Sequence, residues 1–192
     1  MRKKGFTLIE LLIVIGILAV LATITVLVLN PAQLFAQGRD SQRISDLSTT
    51  RSALSLYLAT VTSPDLDGAT TACSSRCYVN LASGLATGCG SRHGTKTVNY
   101  DTDRTVDGTG WIPVDFSSIS SGAPLSNLPV DPTNDTTNFY SYACDNTNKT
   151  FELNADMESL RYAQGGEDSV EDSDGGNSAT IYEVGSEPGL DI

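Results

Sequence analysis

The chain has 192 residues with 23 acids against 12 bases, a formal charge of −11 and a pI near 4.3. That balance excludes a general nucleic-acid binder, which needs a basic surface to meet phosphates, and no nucleic-acid partner is expected. Aromatic residues are few, glycine is common, and the composition suits a loop-rich extracellular or surface domain better than a large enzyme core. Charge is also segregated: residues 2–4 are Arg-Lys-Lys, whereas 167–192 hold eight acids and no Lys or Arg.

From Phe6 to Leu29 runs a 24-residue apolar stretch with one charge, Glu10. As a helix it is about 36 Å long, enough for a hydrocarbon layer of ~30 Å with some tilt. Seventeen of its residues are Leu, Ile, Val or Phe, and together they outweigh the insertion cost of one carboxylate. Arg2, Lys3 and Lys4 are expected to hold the N-terminus in the cytoplasm and place the head outside. A secretory signal peptide is shorter than this run, though Ala32 and Ala36 offer small residues for cleavage. A plain anchor explains the length but leaves Glu10 without a role, and an ionisable group within a membrane segment is a functional candidate.

Lys3-Lys4-Gly5-Phe6-Thr7-Leu8-Ile9-Glu10, followed at once by the apolar helix, closely resembles the prepilin signature of type IV pilins and type II secretion pseudopilins. The resemblance implies cleavage after Gly5 by a prepilin peptidase, N-methylation of Phe6, and polymerisation into a helical filament. It further implies an inner-membrane assembly platform and a separate motor ATPase; the chain carries no Gly-Lys-Ser/Thr phosphate loop of its own. Removing Arg2, Lys3 and Lys4 leaves nine bases against 23 acids, a formal −14. In a stack of subunits, pairing of Glu10 with a neighbour's Phe6 amine favours the correct stagger, because an unpaired carboxylate in the membrane is costly. By the same resemblance, retention of Glu10 favours a subunit of the shaft rather than its tip.

Asn30-Pro31 is expected to end or kink the first helix. An amphipathic helix then runs to about Thr62, with Ile44, Leu47, Leu54, Leu58 and Val61 on one face. Arg39, Asp40, Gln42, Arg43, Ser45 and Asp46 are read as its polar face. Arg39, Arg43 and Arg51 have three readings: contact with acidic heads of neighbouring subunits, i,i+4 pairs, or solvation.

Residues 65–110 read as a variable Gly/Ser/Thr/Asn loop, and Ile112, Val114 and Phe116 as one face of a strand beginning at Trp111. The segment Leu128-Pro129-Val130-Asp131-Pro132 is a turn. Tyr140–Cys144 and Phe151–Ala155, joined through Asp145–Lys149, form the best hairpin in the chain. This order resembles, more loosely, the sheet region of pseudopilins. The expectation is an α+β fold, a long N-terminal helix on a small antiparallel β-sheet head. Its parts are a cleaved leader (1–5), a transmembrane assembly helix (6–29), an amphipathic helix (30–62), a disulfide-stapled loop and sheet (63–164) and an acidic tail (165–192). Within the tail, 181–184 is an apolar piece suited to docking on the sheet.

Cys73, Cys77, Cys89 and Cys144 allow three disulfide pairings. The spacing lacks paired Cys-x-x-Cys knuckles, so disulfides in an oxidising compartment are expected over a zinc site. Asp101/Asp103/Asp107, Asp131/Asp135 and Asp172/Asp174/Asn177 are acidic clusters without the EF-hand template. Asp131 and Asp135 are the calcium candidates, a reading the resemblance adds to; otherwise no cofactor is expected. His93, in Ser91–Gly94, reads as a solvent-exposed loop histidine, and no residue is assigned catalysis. Asn134 and Asn148 begin Asn-x-Thr sequons. Other readings are a minor pilin whose Cys-rich loop is a binding or adhesion module, and a membrane-anchored surface protein that does not polymerise.

Overall fold

The computed structural model describes residues 5–68 and 73–192. Two helices lead the chain, α1 (Leu8–Leu29) and α2 (Pro31–Thr60). Asn30 separates them with a left-handed backbone (φ 38°, ψ 77°), and Pro31 occupies the first position of α2, where its missing N–H costs nothing. The proline thus starts a new helix after a one-residue break. In α1 the side chains described are exposed all round, which for an apolar helix requires lipid or other helices as its surroundings.

The head is a five-stranded sheet in the order β2-β1-β3-β4-β5, with β1 Arg76–Val79, β2 Thr97–Tyr100, β3 Ser141–Asp145, β4 Thr150–Ala155 and β5 Tyr182–Gly185. The β3–β4 hairpin forms as the alternation predicts, with Tyr142 opposite Leu153 and Cys144 opposite Phe151. Asp145 caps its turn by accepting the Thr147 and Asn148 N–H groups.

Three expectations change. The sheet is mixed, because β1 and β2 lie in the segment read as a loop and pair in parallel. Each strand has only four residues, too few for the period-2 pattern to stand out in a Gly/Ser/Thr-rich stretch. Ile112, Val114 and Phe116 are buried as expected but form no strand of the sheet. Pro113 lacks a ladder donor, and Asp115 caps a single 3-10 turn at Phe116–Ser118. The acidic segment 165–192, whose composition reads as a flexible surface, is folded, and its apolar piece docks on the sheet as expected, Tyr182–Gly185 being the edge strand β5 on β4.

The sheet has two packed faces. Tyr78, Tyr142, Phe151 and Leu153 meet Leu47, Leu54 and Tyr57 of α2, and Trp111, Ile112, Val114, Phe116 and Leu128 close that core. Cys77, Val79 and Ala143, which alternate with them, face Leu81, Cys89 and Phe139 on the other side. Cys73 is bonded to Cys144 in the first layer and Cys77 to Cys89 in the second.

The buried stripe of α2 is Ala36, Asp40, Arg43, Leu47, Thr50, Ala53, Leu54 and Tyr57. Asp40 and Arg43, read from sequence as polar-face residues, are therefore inside. Both side chains are fully buried. Arg43 forks onto Asp131, with Nε donating to Oδ2 at 2.6 Å and Nη2 to Oδ1 at 2.8 Å, while Nη1 donates to Asp40 at 2.8 Å. Glu158 joins from the chain after β4, accepting from Arg43 and Arg39. Hydrogen bonds from Arg39 and then Arg43 outweigh burial and hold Glu158 down to about 2. Backbone donors complete the cluster: Glu158 and Ser159 N–H to Asp40, Thr133 and Asn134 N–H to Asp131. Two of the three arginines thus bind carboxylates of their own head, and Arg51 lies exposed.

Two stability predictions follow. Replacing Arg43 with Met strands buried carboxylates and should lower stability by about 3–5 kcal/mol, measured by guanidinium denaturation of the full chain in detergent with disulfides intact. The Cys73–Cys144 bridge closes 71 residues of sequence and Cys77–Cys89 only 12. By chain entropy their removal should cost about 4 and about 3 kcal/mol respectively. Paired Cys→Ala variants in the same assay check that order, and equal losses would contradict it.

Candidate functional site

At the N-terminal end the described residues begin at Gly5, which with Phe6 and Thr7 precedes the first helical residue, Leu8. Arg2, Lys3 and Lys4 fall outside the described residues. Phe6 is 78% exposed. A Cβ built on Gly5 meets nothing within 4 Å, so the small residue there answers no demand of this chain's own packing.

Thr7 and Glu10 form a capping box. Glu10 N–H donates to Thr7 Oγ1 at 3.3 Å, and Glu10 Oε2 accepts from both Thr7 N–H and Thr7 Oγ1 at 2.8 Å. The carboxylate also lies in the first turn, where the helix dipole favours negative charge. Every bond of the box lies on the Phe6 side of the Gly5–Phe6 peptide bond. None of these bonds would be lost if the chain were cut at that peptide bond. Both Thr7 bonds fall on one carboxylate oxygen, Oε2.

The four cysteines lie in the two bridges described above, at Cα–Cα separations of 4.9 and 6.1 Å. Asp131 and Asp135 serve different ends. Asp131 is buried against the Arg43 guanidinium, a cation already in place, whereas Asp135 accepts the Thr137 and Asn138 N–H groups of an exposed turn. Asp101, Asp103 and Asp107 each accept the N–H two residues on, and Asp174 accepts those of Gly176 and Glu183. These carboxylates shape turns. Among the described residues, no group of three or more His, Cys, Asp or Glu is arranged to hold a metal. Of the two sequon residues, Asn134 is part-buried and donates to Asn80 O, while Asn148 is exposed at the hairpin turn.

His93 overturns its sequence reading: it is buried, at 1% exposure. Its Nε2 lies 3.0 Å from Ser141 Oγ and its Nδ1 3.1 Å from the Ile192 main-chain oxygen, with Glu152 at 3.7 Å. Glu152 accepts the Ile192 N–H at 3.0 Å. A serine, a histidine and a carboxylate are thus aligned, but all three are sealed from solvent. The arrangement is a clasp on residue 192, made by groups 99, 51 and 40 residues away in sequence, which no local pattern reveals.

Burial pushes His93 down from 6.5 to about 3 and Glu152 up from 4.5 to about 7. The folded pair therefore holds one proton from about pH 3 to about 7, on the carboxyl. Unfolded, the same groups hold two protons below 4.5 and none above 6.5. Stability from the pair is level between those values, falls below 4.5 because the unfolded chain binds more protons, and falls from 6.5 to 7 because the folded chain does. Glu152→Gln leaves a neutral histidine alone, so its loss begins on acidification through 6.5. Relative to the parent, the variant's denaturation midpoint should drop more from pH 7 to 5; equal drops would refute the assignment.

The model of the prokaryotic N-terminal methylation motif matches residues 1–26. No curated protein and no solved structure matches the chain. The exposed Gly5–Phe6 junction, the capped Glu10 and the apolar α1 all lie within the matched stretch, and the chain carries the type IV pilin and pseudopilin signature at the start of an α+β, pilin-like architecture.

Proposed function

We propose that this protein is a structural subunit of a type IV pilus or a type II secretion-like pseudopilus. It is cut after Gly5, N-methylated at Phe6, anchored by α1 with its head outside the cytoplasm, and polymerised through that helix. The observation that carries this reading is the methylation-motif match over an apolar helix whose described side chains are all exposed. Such a helix needs a hydrophobic environment, and the bilayer and a bundle of identical helices are the two that one processed subunit meets in turn.

The local geometry supports both steps. Gly5–Phe6 is exposed and non-helical, as a peptidase substrate must be, and the absence of a Cβ at Gly5 suits close approach by a partner from outside the chain. After cleavage, Glu10 keeps its Thr7 bonds through Oε2, leaving Oε1 for a neighbour's Phe6 amine. That contact sets the axial register, because a carboxylate amid apolar helices is costly without a cation. The turnover machinery, peptidase, assembly platform and motor ATPase, belongs to other proteins, and the role of this chain is assembly rather than catalysis.

The mass of the N-terminal peptide from native membranes or sheared surface material tests processing. The expected species begins at N-methylated Phe6; a start at Met1 or beyond Pro31 overturns the proposal. Glu10→Gln should retain membrane insertion and lose most sheared filament. Unchanged filament yield would defeat the register mechanism while leaving processing intact.

A further inference from the structure

Beyond α1, toward and within the head, four large apolar residues stand exposed among the described residues: Leu34, Phe35, Leu56 and Leu160. Three of them lie at one level along α2. Leu160 lies 127 residues from Gln33 in sequence, yet its N–H donates to Gln33 Oε1 at 2.9 Å, which sets it level with the first turn of α2, where Leu34 and Phe35 stand about 100° and 200° round the helix from Gln33. Phe35 is 71% exposed and Leu160 76%. Their positions are fixed from above: Asp40 accepts the N–H groups of Glu158 and Ser159, and Arg39 and Arg43 hold the Glu158 carboxylate. The chain thus spends rigid, buried interactions to hold a leucine out in the open.

The depth of this patch identifies its occupant. The apolar stretch Phe6–Leu29 is about 36 Å long against ~30 Å of hydrocarbon, so with tilt α1 ends near the hydrocarbon boundary. Leu34 and Phe35 follow five and six residues later, about 8–9 Å along a helix axis and, at the same tilt, ~6–7 Å in depth, toward the outer side of a headgroup layer of ~5–8 Å on each face. Leu160 is followed by Arg161, 48% exposed in its side chain and ion-paired with Asp168 at 2.5 Å, and by Tyr162, whose ring lies 5.7 Å from the Arg161 guanidinium. Apolar, cationic and aromatic side chains in succession are the composition of a membrane interface. The opposite end of the head is unlike it: there Lys149 donates to Pro64 O beyond the end of α2, and the hairpin turn is polar.

We propose that Leu34, Phe35 and Leu160 form a foot by which the head rests on the bilayer leaflet it faces before assembly. The inference rests on the membrane anchoring described above. The contact is apolar insertion; the formal −14 of the processed chain gives no attraction to anionic lipid. Rising through the shaft then requires the foot to leave lipid.

The test uses the full chain reconstituted at low protein-to-lipid ratio in phosphatidylcholine vesicles, with acyl chains brominated near the carbonyl end or near the middle. Single tryptophans are added by Leu160→Trp, by Asn148→Trp at the far hairpin turn, and by Ile17→Trp in α1; the native Trp111 is buried and supplies a constant background. The expected result is blue-shifted emission from Leu160→Trp that is lost with shallow bromines, no quenching of Asn148→Trp, and quenching of Ile17→Trp by deep bromines. Solvent-like, unquenched emission from Leu160→Trp beside a quenched Ile17→Trp overturns the foot alone. A blue shift that bromines leave untouched and that grows with protein-to-lipid ratio overturns it too, assigning the patch to a second copy. An unquenched Ile17→Trp overturns the anchoring and the foot with it.

Discussion

The Arg43 side chain is the constraint on which the rest of the head depends. A guanidinium cannot be left uncharged and cannot be buried alone, so Asp131, Asp40 and Glu158 must reach it together. Those three carboxylates come from α2, from the turn before β3 and from the segment after β4. Satisfying one charge therefore fixes three parts of the chain. Hydrophobic packing of Leu47, Leu54 and Tyr57 presses the helix on the sheet without direction; the forked Asp131 contact sets its height and rotation. From the same cluster the chain runs in one direction to the apolar helix α1 and in the other to the exposed Leu160.

The N-terminal end is organised on a different principle. Its chemistry is local: a threonine and a glutamate three residues apart cap a helix by themselves. Nothing in the head touches this end in the contacts described, and nothing there depends on the sheet. The molecule joins a segment readable in ten residues to a domain held by contacts about 90 to 120 residues apart.

That division explains what was legible in the sequence. The apolar helix, the helix start, the break at Asn30-Pro31 and the β3–β4 hairpin rest on hydrophobicity, capping and turn chemistry, all of short range. The four-residue strands β1 and β2 are too short to display a period, and their parallel pairing is a property of tertiary placement. Arg43 and Asp40 read as exposed because polar residues on a helix ordinarily face solvent, whereas here they are buried. Their 3/4 spacing with Ala36, Leu47 and Leu54 was the available signal for burial. His93 failed for a related reason: a Gly- and Arg-rich neighbourhood suggests solvent, while its partners Ser141, Glu152 and Ile192 are distant in sequence. The disulfide pairing had no local signal, since the two bridges sort by face of the sheet.

The placement of those bridges has a mechanical consequence. Cys77–Cys89 lies wholly inside the loop that Cys73–Cys144 closes. Tension applied to the head from its helix and its far end passes through the outer sulfur link and bypasses everything between. At about 3.4 Å per extended residue, the 71-residue span withholds roughly 240 Å of contour from any pull. Even a head whose packing had failed would lengthen only through its flanking segments, and it would recoil around a tether that keeps β1 and β2 next to β3.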